Sequence, residues 1–96
     1  MSNTKQVILD AAATLAAKQG FRNVTRSAIA AKVGIATGTV SYHFGTMAQL
    51  QNAIVNYAVD TQNMKVLAQA LGEGHPIALR APQSLRTAAA KLLSGL

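Results

Sequence analysis

Apolar side chains recur at helical spacing over most of the chain, and they divide it into several helices. Between Val7 and Lys18 they return every third or fourth position, which places them on one face of a helix. This face consists of Ile8, Ala11, Ala12, Leu15 and Ala16. Gly20 follows where a helix can end in a left-handed residue, and Phe21 then offers a large side chain to the core.

Two short helices joined by a glycine turn are predicted next. Thr25 is a good N-cap for the first of them, and Gly34 closes it. The second begins at Ala36 or Thr37 and runs to about Phe44. Such a pair is the sequence pattern of a helix-turn-helix, in which the second helix enters the DNA major groove.

The longest apolar pattern runs from Met47 to Leu71, after Gly45 ends the preceding helix and Thr46 provides a cap. Its members alternate in steps of three and four, as in the seam of a coiled coil. They are Met47, Leu50, Ile54, Tyr57, Thr61, Met64, Ala68 and Leu71. One helix of this length, on the order of 35 Å at 1.5 Å per residue, exceeds what the short N-terminal helices can cover. Part of the seam is therefore expected to meet another chain; the alternative is a helix packed along its own domain.

The segment 72–76 breaks this pattern, and a last amphipathic helix is predicted from Pro82 or Ser84 to Leu93. Its inward residues are expected to be Leu85, Ala88, Ala89, Leu92 and Leu93. No segment reads as a strand. The predicted fold is all-α: a three-helix DNA-binding head over 1–50, followed by a helical dimerisation extension over 51–96 that is continuous with it.

Composition favours a polyanionic partner. The chain has 96 residues, enough for one domain, and a net charge of +6 with a pI near 10.4. A basic surface of this kind suits nucleic acid, although the same excess charge also serves solubility. Only 4% of the residues are aromatic, which argues against a single-strand binder built on stacking platforms.

Localisation follows from what the sequence lacks. There is no cysteine, so disulfides and thiolate metal sites are excluded and a reducing compartment is expected. The N-terminal apolar run carries charges and has no cleavage site, and no segment approaches the length of a membrane span. The expected location is cytoplasmic, with association to the nucleoid when bound to DNA.

Catalysis is not expected. Asp10, Asp60 and Glu73 are the only acidic residues, and no nucleophile–base pair or phosphate cradle appears. His43 has no carboxylate within a helical turn and no second histidine near it, because His75 lies in a distant loop. We predict neither an enzyme nor a cofactor or metal site.

The run VILDAAATLAAKQGFRNVTRSAIAAKVGIATGTVSYHFGTMAQL, residues 7–50, resembles the N-terminal DNA-binding domain of the TetR (tetracycline repressor) family of transcriptional regulators. The resemblance is carried by Ile8, Leu9, Ala11, Ala12, Leu15, Gly20, Phe21, Thr25, Ile29, Ala30, Gly34, Ile35, Gly38, Thr39, Val40, His43, Phe44 and Leu50. It implies a helix-turn-helix that regulates transcription. The chain departs from the family at Ser41 (usually Tyr), Ala36 (usually a Ser or Thr cap) and Met47 (commonly a Lys that donates to phosphate).

The outward side chains of the second short helix are the expected groove contacts. Val40 and Phe44, four residues apart, must take the core face. That leaves Thr37, Gly38, Thr39, Ser41 and Tyr42. Thr39 is the first choice for base edges, because its methyl can touch thymine and its hydroxyl can pair with several bases. The alternative for Tyr42 is half-buried packing, and for Gly38 a plain helix start.

Phosphate contacts are expected around this helix. Thr25, Arg26 and Ser27 lie at a helix N-terminus, where free amides favour an anion, and Thr46 begins the next helix. The resemblance implies a phosphate contact for His43 and a basic residue near the backbone for Lys5. The remaining N-terminal cations, Lys18, Arg22 and Lys32, are read as solvated charges.

The expected function is a repressor that binds a palindromic operator as a dimer. Its predicted dimerisation residues are Ile54, Tyr57, Thr61, Met64, Ala68, Leu71, Leu85 and Leu92. The resemblance implies a larger inducer-binding domain, for which 51–96 has too little room, so no small-molecule effector is expected. Two alternatives stay open: a partition or architectural protein that coats repeated sites, and a fragment of a longer, ligand-responsive repressor.

Overall fold

The computed structural model describes residues 4–94, and this part of the chain is helical with no strand. The predicted all-α fold is confirmed. The helices are α1 (Thr4–Gln19), α2 (Arg26–Val33), α3 (Thr37–Phe44), α4 (Met47–Thr61), α5 (Met64–Gly72), α6 (Pro76–Leu79) and α7 (Gln83–Ser94), with a 3₁₀ turn at Phe21–Asn23. Neither the 3₁₀ turn nor the short α6 was predicted.

Both ends of α2 have the predicted caps. The Thr25 hydroxyl accepts a hydrogen bond from the Ala28 amide at 3.1 Å, which fixes the start of α2. Gly34 ends α2 with a φ of 83°, a left-handed conformation that glycine adopts at little cost. Ala36 precedes α3 and provides no side-chain cap.

A capping box joins α3 to α4. The Thr46 hydroxyl accepts from the Gln49 amide at 3.2 Å, and the Gln49 side-chain oxygen accepts from the Thr46 amide at 2.9 Å. A Cβ at Gly45 would lie 2.0 Å from that oxygen, and φ there is 73°, so the position requires glycine. The predicted cap at Thr46 is confirmed, and its T-x-x-Q spacing is visible in the sequence.

The core of the head forms where α1 packs against α2 and α4, and α2 against α3. Its largest fully buried side chains are Ile8, Phe21, Val24, Ile29, Val40, Leu50, Ile54 and Val55. Alanines of α1 lie on the same buried face, as the helical pattern predicted. Their small side chains let neighbouring helices approach closely.

The single helix predicted over 47–71 is wrong. The chain leaves α4 at Gln62, whose φ of 56° is left-handed, and α5 begins after Asn63. The Asn63 side-chain oxygen caps α5 by accepting from the Val66 amide at 3.3 Å. Heptad spacing does not detect this break, because a two-residue turn leaves the apolar spacing almost unchanged. After the turn, α5 packs against α7.

Most of the predicted dimer seam faces the core of its own chain. Leu50, Ile54 and Ala68 are buried there, where a second copy cannot reach them. Three other members, Met47, Met64 and Leu71, are partly buried against the same core, as is Leu85 of α7, another predicted dimerisation residue. Thr61 is exposed, and its hydroxyl donates to the Tyr57 carbonyl at 2.7 Å. These placements favour the alternative of a segment packed along its own domain.

The last helix is close to its predicted range, but only part of its apolar set is inward. Ala89 is buried and Leu85 partly buried, as expected. Ala88 is exposed, and Leu92 and Leu93 keep 45% and 39% of their surface. The expectation that these three are inward was wrong.

One side chain of α5 connects the extension to the end of α1. The Gln69 oxygen accepts from the Phe21 amide at 2.9 Å, and its nitrogen donates to the Ala16 carbonyl at 3.0 Å. The Ala16 carbonyl also accepts from the Gly20 amide at 2.8 Å, so Gln69 adds a second hydrogen bond to this oxygen at the end of α1. The head and the extension are thereby joined across 48 and 53 positions of sequence.

His75 completes this junction. Its ring is buried and meets the Phe21 ring edge-on, with centroids 5.9 Å apart. Its Nδ1 accepts from the Ile77 amide at 3.2 Å, so in the neutral ring Nε2 carries the proton and donates to the Asn52 oxygen at 2.9 Å. A second proton would have to sit on Nδ1 and would break the bond to Ile77.

Burial, followed by the charge of Arg22, lowers the pKa of His75 below its usual 6.5, while Glu73 acts in the opposite direction. The unfolded chain then binds a proton that the folded chain resists. The stability from neutral His75 is present above about pH 6.5 and is lost as pH falls through the folded pKa. We expect the free energy of unfolding in urea to decline between about pH 7 and 5. His75→Gln should flatten this decline; an equal decline in both proteins would contradict the assignment.

Candidate nucleic-acid interface

Helix α3, the second helix of the helix-turn-helix (the recognition helix), has one apolar face and one uncharged polar face. Val40 and Phe44 point into the core and are buried. At about 100° per residue, Gly38 and Tyr42 occupy the opposite side of the helix. Tyr42 keeps 85% of its surface exposed, so the alternative of a half-buried packing tyrosine is excluded.

The flanks of this outward face carry short polar side chains. Thr39 and His43 lie on one flank and are partly exposed, while Thr37, exposed, and Ser41, partly exposed, lie on the other. The Tyr42 ring meets the His43 ring edge-on, with centroids 5.3 Å apart. The four other predicted outward residues of α3 and His43 therefore lie around the projecting Tyr42 ring.

Gly38 has no structural reason within the chain to be glycine. A Cβ at this position would meet no heavy atom within 4 Å, and φ is not positive. Glycine inside a helix costs roughly 0.5–1 kcal/mol relative to alanine. The position leaves the outward backbone of α3 bare beside the exposed Tyr42, which suits close approach by another molecule.

Lys5 of α1 is brought to the end of α3. Its ammonium lies 5.7 Å from the centre of the Phe44 ring, within the range of a cation–π contact. The side chain is exposed. The structure thus places the predicted backbone-contacting lysine next to the C-terminal end of the recognition helix.

The three predicted residues at the start of α2 differ in their exposure and in their hydrogen bonds. Thr25 is exposed and already caps the helix, and Ser27 is exposed. Arg26 is partly buried, and its Nε is the one buried side-chain nitrogen or oxygen in the described chain without a hydrogen-bond partner. An unsatisfied buried donor is unusual and calls for a partner.

The start of α4 differs from the pattern implied by the resemblance. Thr46 is exposed, whereas Met47 is partly buried against the core. A phosphate-binding side chain is therefore absent at position 47. Gln49, which was not among the predicted site residues, is exposed beside Thr46 and is held by the capping box.

Arg22 bonds to other side chains of the chain, whereas the sequence suggested a merely solvated charge. It forms an ion pair with Glu73 at 2.8 Å and donates to the Gln51 side-chain oxygen at 3.0 Å. This is the only salt bridge in the described part of the chain. Lys18 and Lys32 are exposed. Neither lysine forms an ion pair within the described residues.

Tyr57 connects α1 to α4 and does not lie in an open seam. Its hydroxyl donates to the Asp10 carboxylate and accepts from the Gln6 side-chain nitrogen at 2.6 Å. The hydrogen bond to Asp10, followed by burial, raises the pKa of Tyr57 above its usual 10.0. The sequence missed this contact because its partners are 47 positions apart.

Within residues 4–94, no three His, Cys, Asp or Glu side chains cluster as metal ligands would. No helix in that range has the length and apolarity to cross a bilayer. The site offers hydroxyls, one exposed aromatic ring and nearby cations, presented by a two-helix unit. These features define a helix-turn-helix DNA-binding protein.

Comparison with known proteins gives the family. Residues 8–54 match the model described as "Bacterial regulatory proteins, tetR family", a range that spans most of α1, all of α2 and α3, and the first half of α4. No curated protein and no solved structure matches the chain. We identify residues 8–54 as a TetR-family N-terminal helix-turn-helix domain, which belongs to a family of DNA-binding transcription regulators.

Replacement of Gly38 should separate folding from binding. Gly38→Ala is expected to raise the free energy of unfolding by about 0.4–1 kcal/mol, because nothing in the chain opposes the added methyl. It should weaken DNA binding by about 1 kcal/mol or more if the bare backbone meets DNA. Urea unfolding and fluorescence anisotropy on labelled duplex measure the two effects.

Gly72→Ala is the matched control. Gly72 is also helical, its φ is not positive, and an added Cβ would only touch Leu93 at 3.8 Å. It lies on α5, outside the helix-turn-helix. This variant should leave DNA affinity unchanged, and equal DNA affinity of both variants and the original chain would contradict the role of Gly38.

Proposed function

We propose that the chain is a transcriptional repressor that binds a palindromic DNA operator as a dimer, with α3 in the major groove. The observation that carries this proposal is the outward face of α3. It projects Tyr42 into solvent while its opposite face is anchored by Val40 and Phe44. An aromatic ring this exposed on a small basic domain is well placed to contact another molecule.

Base and phosphate contacts are divided between different parts of the interface. Thr39 and Tyr42 are the proposed base contacts, with Thr37 and Ser41 beside them. The proposed phosphate contacts surround them: Lys5, Thr25, Arg26, Ser27, His43 and Thr46. Phosphate contacts set the position of a protein on the duplex, and base contacts specify its sequence.

The position of Arg26 in the first turn of α2, without an ion pair in the described chain, supports the proposed phosphate contacts there. A guanidinium without an acidic partner is suited to a phosphate oxygen, and the helix N-terminus adds a favourable dipole. The α3 backbone at Gly38 has no side chain to separate it from DNA, which supports close approach of the two molecules.

Few side chains of α3 can form specific hydrogen bonds with base edges. Between Gly34 and Phe44 there is no Arg, Asn or Gln, the residues that make bidentate bonds with purines. Specificity therefore depends on DNA shape and deformability, and on the distance between two half-sites held by a dimer. Dimerisation stays a prediction. Because most seam residues are buried in their own chain, the dimer contact would use exposed surfaces such as Leu79 of α6, which keeps 52% of its surface.

Selection of bound sequences from random duplexes tests the mode of binding. We expect two inverted half-sites whose centres are about one helical turn, roughly 10–10.5 base pairs, or a multiple apart. An isolated half-site, or an extended array of protected repeats in footprinting, would contradict a dimeric repressor. The second result would favour a protein that coats DNA.

Removal of the proposed base contacts should abolish specific binding. Thr39→Ala combined with Tyr42→Ala is expected to weaken binding to the selected duplex by at least about tenfold, since each base contact is worth about 1–3 kcal/mol. Binding to unrelated duplex should change little, and circular dichroism should show an intact fold. The matched control, Ser84→Ala with Thr87→Ala, removes two hydroxyls from exposed positions of α7. Unchanged affinity of the first variant would refute the assigned groove face.

A further inference from the structure

The first turn of α1 has no buried side chain of its own. Residues 4–7 are all exposed, and Ile8 is the first side chain of the helix to enter the core. The first amides of a helix also lack carbonyl partners within it. A turn of this kind frays unless another element holds it. Lys5, one of the proposed phosphate contacts, lies in this turn.

A tyrosine of α4 holds the first turn of α1. The Gln6 side-chain nitrogen donates to the Tyr57 hydroxyl at 2.6 Å, and this hydroxyl donates to the Asp10 carboxylate. Gln6 also donates to the same carboxylate at 3.3 Å, which closes a ring of three hydrogen bonds. Since Gln6 and Asp10 are four residues apart on α1, one hydroxyl of α4 contacts two successive turns of that helix.

The hydroxyl keeps its proton over the whole neutral range. The hydrogen bond to Asp10, followed by burial, raises the pKa of Tyr57 above its usual 10.0. Tyr57 is therefore a donor to the carboxylate and an acceptor from Gln6 under all conditions in which DNA binding is measured.

Lys5 is the neighbour of Gln6 in sequence and lies at the end of the recognition helix. Its ammonium is 5.7 Å from the centre of the Phe44 ring. Lys5, Phe44 and Tyr57 line one shallow cleft of about 220 Å³ between α1, α3 and α4. Asp60 also lines this cleft, yet Lys5 forms no ion pair within residues 4–94. The ammonium is thus free of an acidic partner at the edge of the proposed interface.

The contact with Phe44 alone does not fix Lys5. A single cation–π contact at an exposed site is weaker than the rotamer entropy that an ordered lysine loses. A second restraint has to act on the backbone that carries the side chain. The hydrogen bond from Gln6 to Tyr57 supplies it one residue away.

We propose that Tyr57 is a positioning residue for DNA binding: its hydroxyl fixes the first turn of α1, so that Lys5 meets a phosphate beside the end of α3. The inference rests on the proposed function, because it concerns how one phosphate contact of that interface is prepared. Tyr57 acts through Gln6 and Lys5 and does not contact DNA. A lysine that is held in place before binding loses less conformational entropy when it meets the phosphate.

The salt dependence of binding distinguishes this role from simple stabilisation of the fold. Each phosphate contact contributes about 0.9 to the slope of log affinity against log salt concentration for duplex DNA. A hydrogen bond that only stabilises the fold changes the free energy of unfolding and leaves the number of phosphate contacts as it was. Loss of a positioning residue removes a contact and makes the slope shallower.

Tyr57→Phe, which keeps the ring and removes the hydroxyl, tests the proposal. Fluorescence anisotropy on labelled duplex between about 50 and 200 mM salt gives the affinity and the slope. We expect binding to weaken roughly twofold to fivefold at low salt, equally for selected and unrelated duplexes, with a shallower slope. Lys5→Gln should reduce the slope by about 0.9 for each bound head. An unchanged slope for Tyr57→Phe would overturn the proposal.

The double variant shows whether the hydroxyl acts through the lysine. In the Lys5→Gln background the contact is already lost, so Tyr57→Phe should have no further effect on DNA affinity. Additive losses would mean that the hydroxyl supports the fold as a whole, and they would contradict the positioning role. Circular dichroism and urea unfolding verify that each variant is folded at the temperature of the binding assay.

Thr61→Val is the matched control. The Thr61 hydroxyl lies one turn further along α4 and donates to the Tyr57 carbonyl within that helix. Its removal takes a hydroxyl from α4 but leaves the hydrogen bonds to α1 in place. Affinity and salt slope should be unchanged, and a loss equal to that of Tyr57→Phe would contradict the proposal.

A measurement without DNA separates this inference from the proposed function. In ¹⁵N relaxation of the free chain, residues 5–7 should have backbone order parameters near 0.85, about the value of a rigid helix, and Tyr57→Phe should lower them toward about 0.6. Equal order parameters in both proteins would overturn the inference while DNA binding by the original chain still supports the proposed function. Failure of the original chain to bind any duplex would refute the proposed function, and the role of Tyr57 with it.

Discussion

The arrangement of this protein depends on how the chain is held where it leaves α1. The Gly20 amide donates to the Ala16 carbonyl there, and Phe21 is buried directly after it. The extension supplies further contacts: Gln69 donates to the Ala16 carbonyl and accepts from the Phe21 amide, and His75 covers the Phe21 ring. Residues beyond the matched range 8–54 therefore help to hold the DNA-binding head. Without them, the Phe21 ring would lose its buried neighbour and the end of α1 two of its hydrogen bonds.

The division of α3 into a buried and an outward face determines which side chains the interface presents. The core takes Val40 and Phe44 from α3 and leaves Gly38 and Tyr42 on the opposite side. This outward face carries no charged side chain, so in the proposed complex attraction to the phosphates would come from surrounding residues such as Lys5. The ring and the hydroxyls of α3 would lie at the groove, and DNA shape would supply much of the discrimination.

The features predictable from sequence are those set by near neighbours. Thr25, Gly34 and Thr46 act within a few residues, so the helix boundaries around α2 and α3 followed from their local pattern. The break after α4 was missed because left-handed Gln62 and the Asn63 cap do not disturb the apolar spacing. The contacts of Gln69, His75 and Tyr57 join residues far apart in sequence. No local pattern indicates such pairs. Part of the seam was expected to meet another chain because one unbroken helix would exceed what the head can cover, and the turn after α4 removes that excess length.

The proposed function depends on the outward face of α3 entering the DNA groove. Intermolecular nuclear Overhauser effects, measured on the isotope-labelled chain bound to a duplex obtained by selection, test this placement. We expect contacts from the Tyr42 ring and the Thr39 methyl to base protons of the major groove, such as thymine methyls. The placement is contradicted if base protons are contacted from α7 instead, or if Tyr42 and Thr39 give no effects to the bases of the duplex.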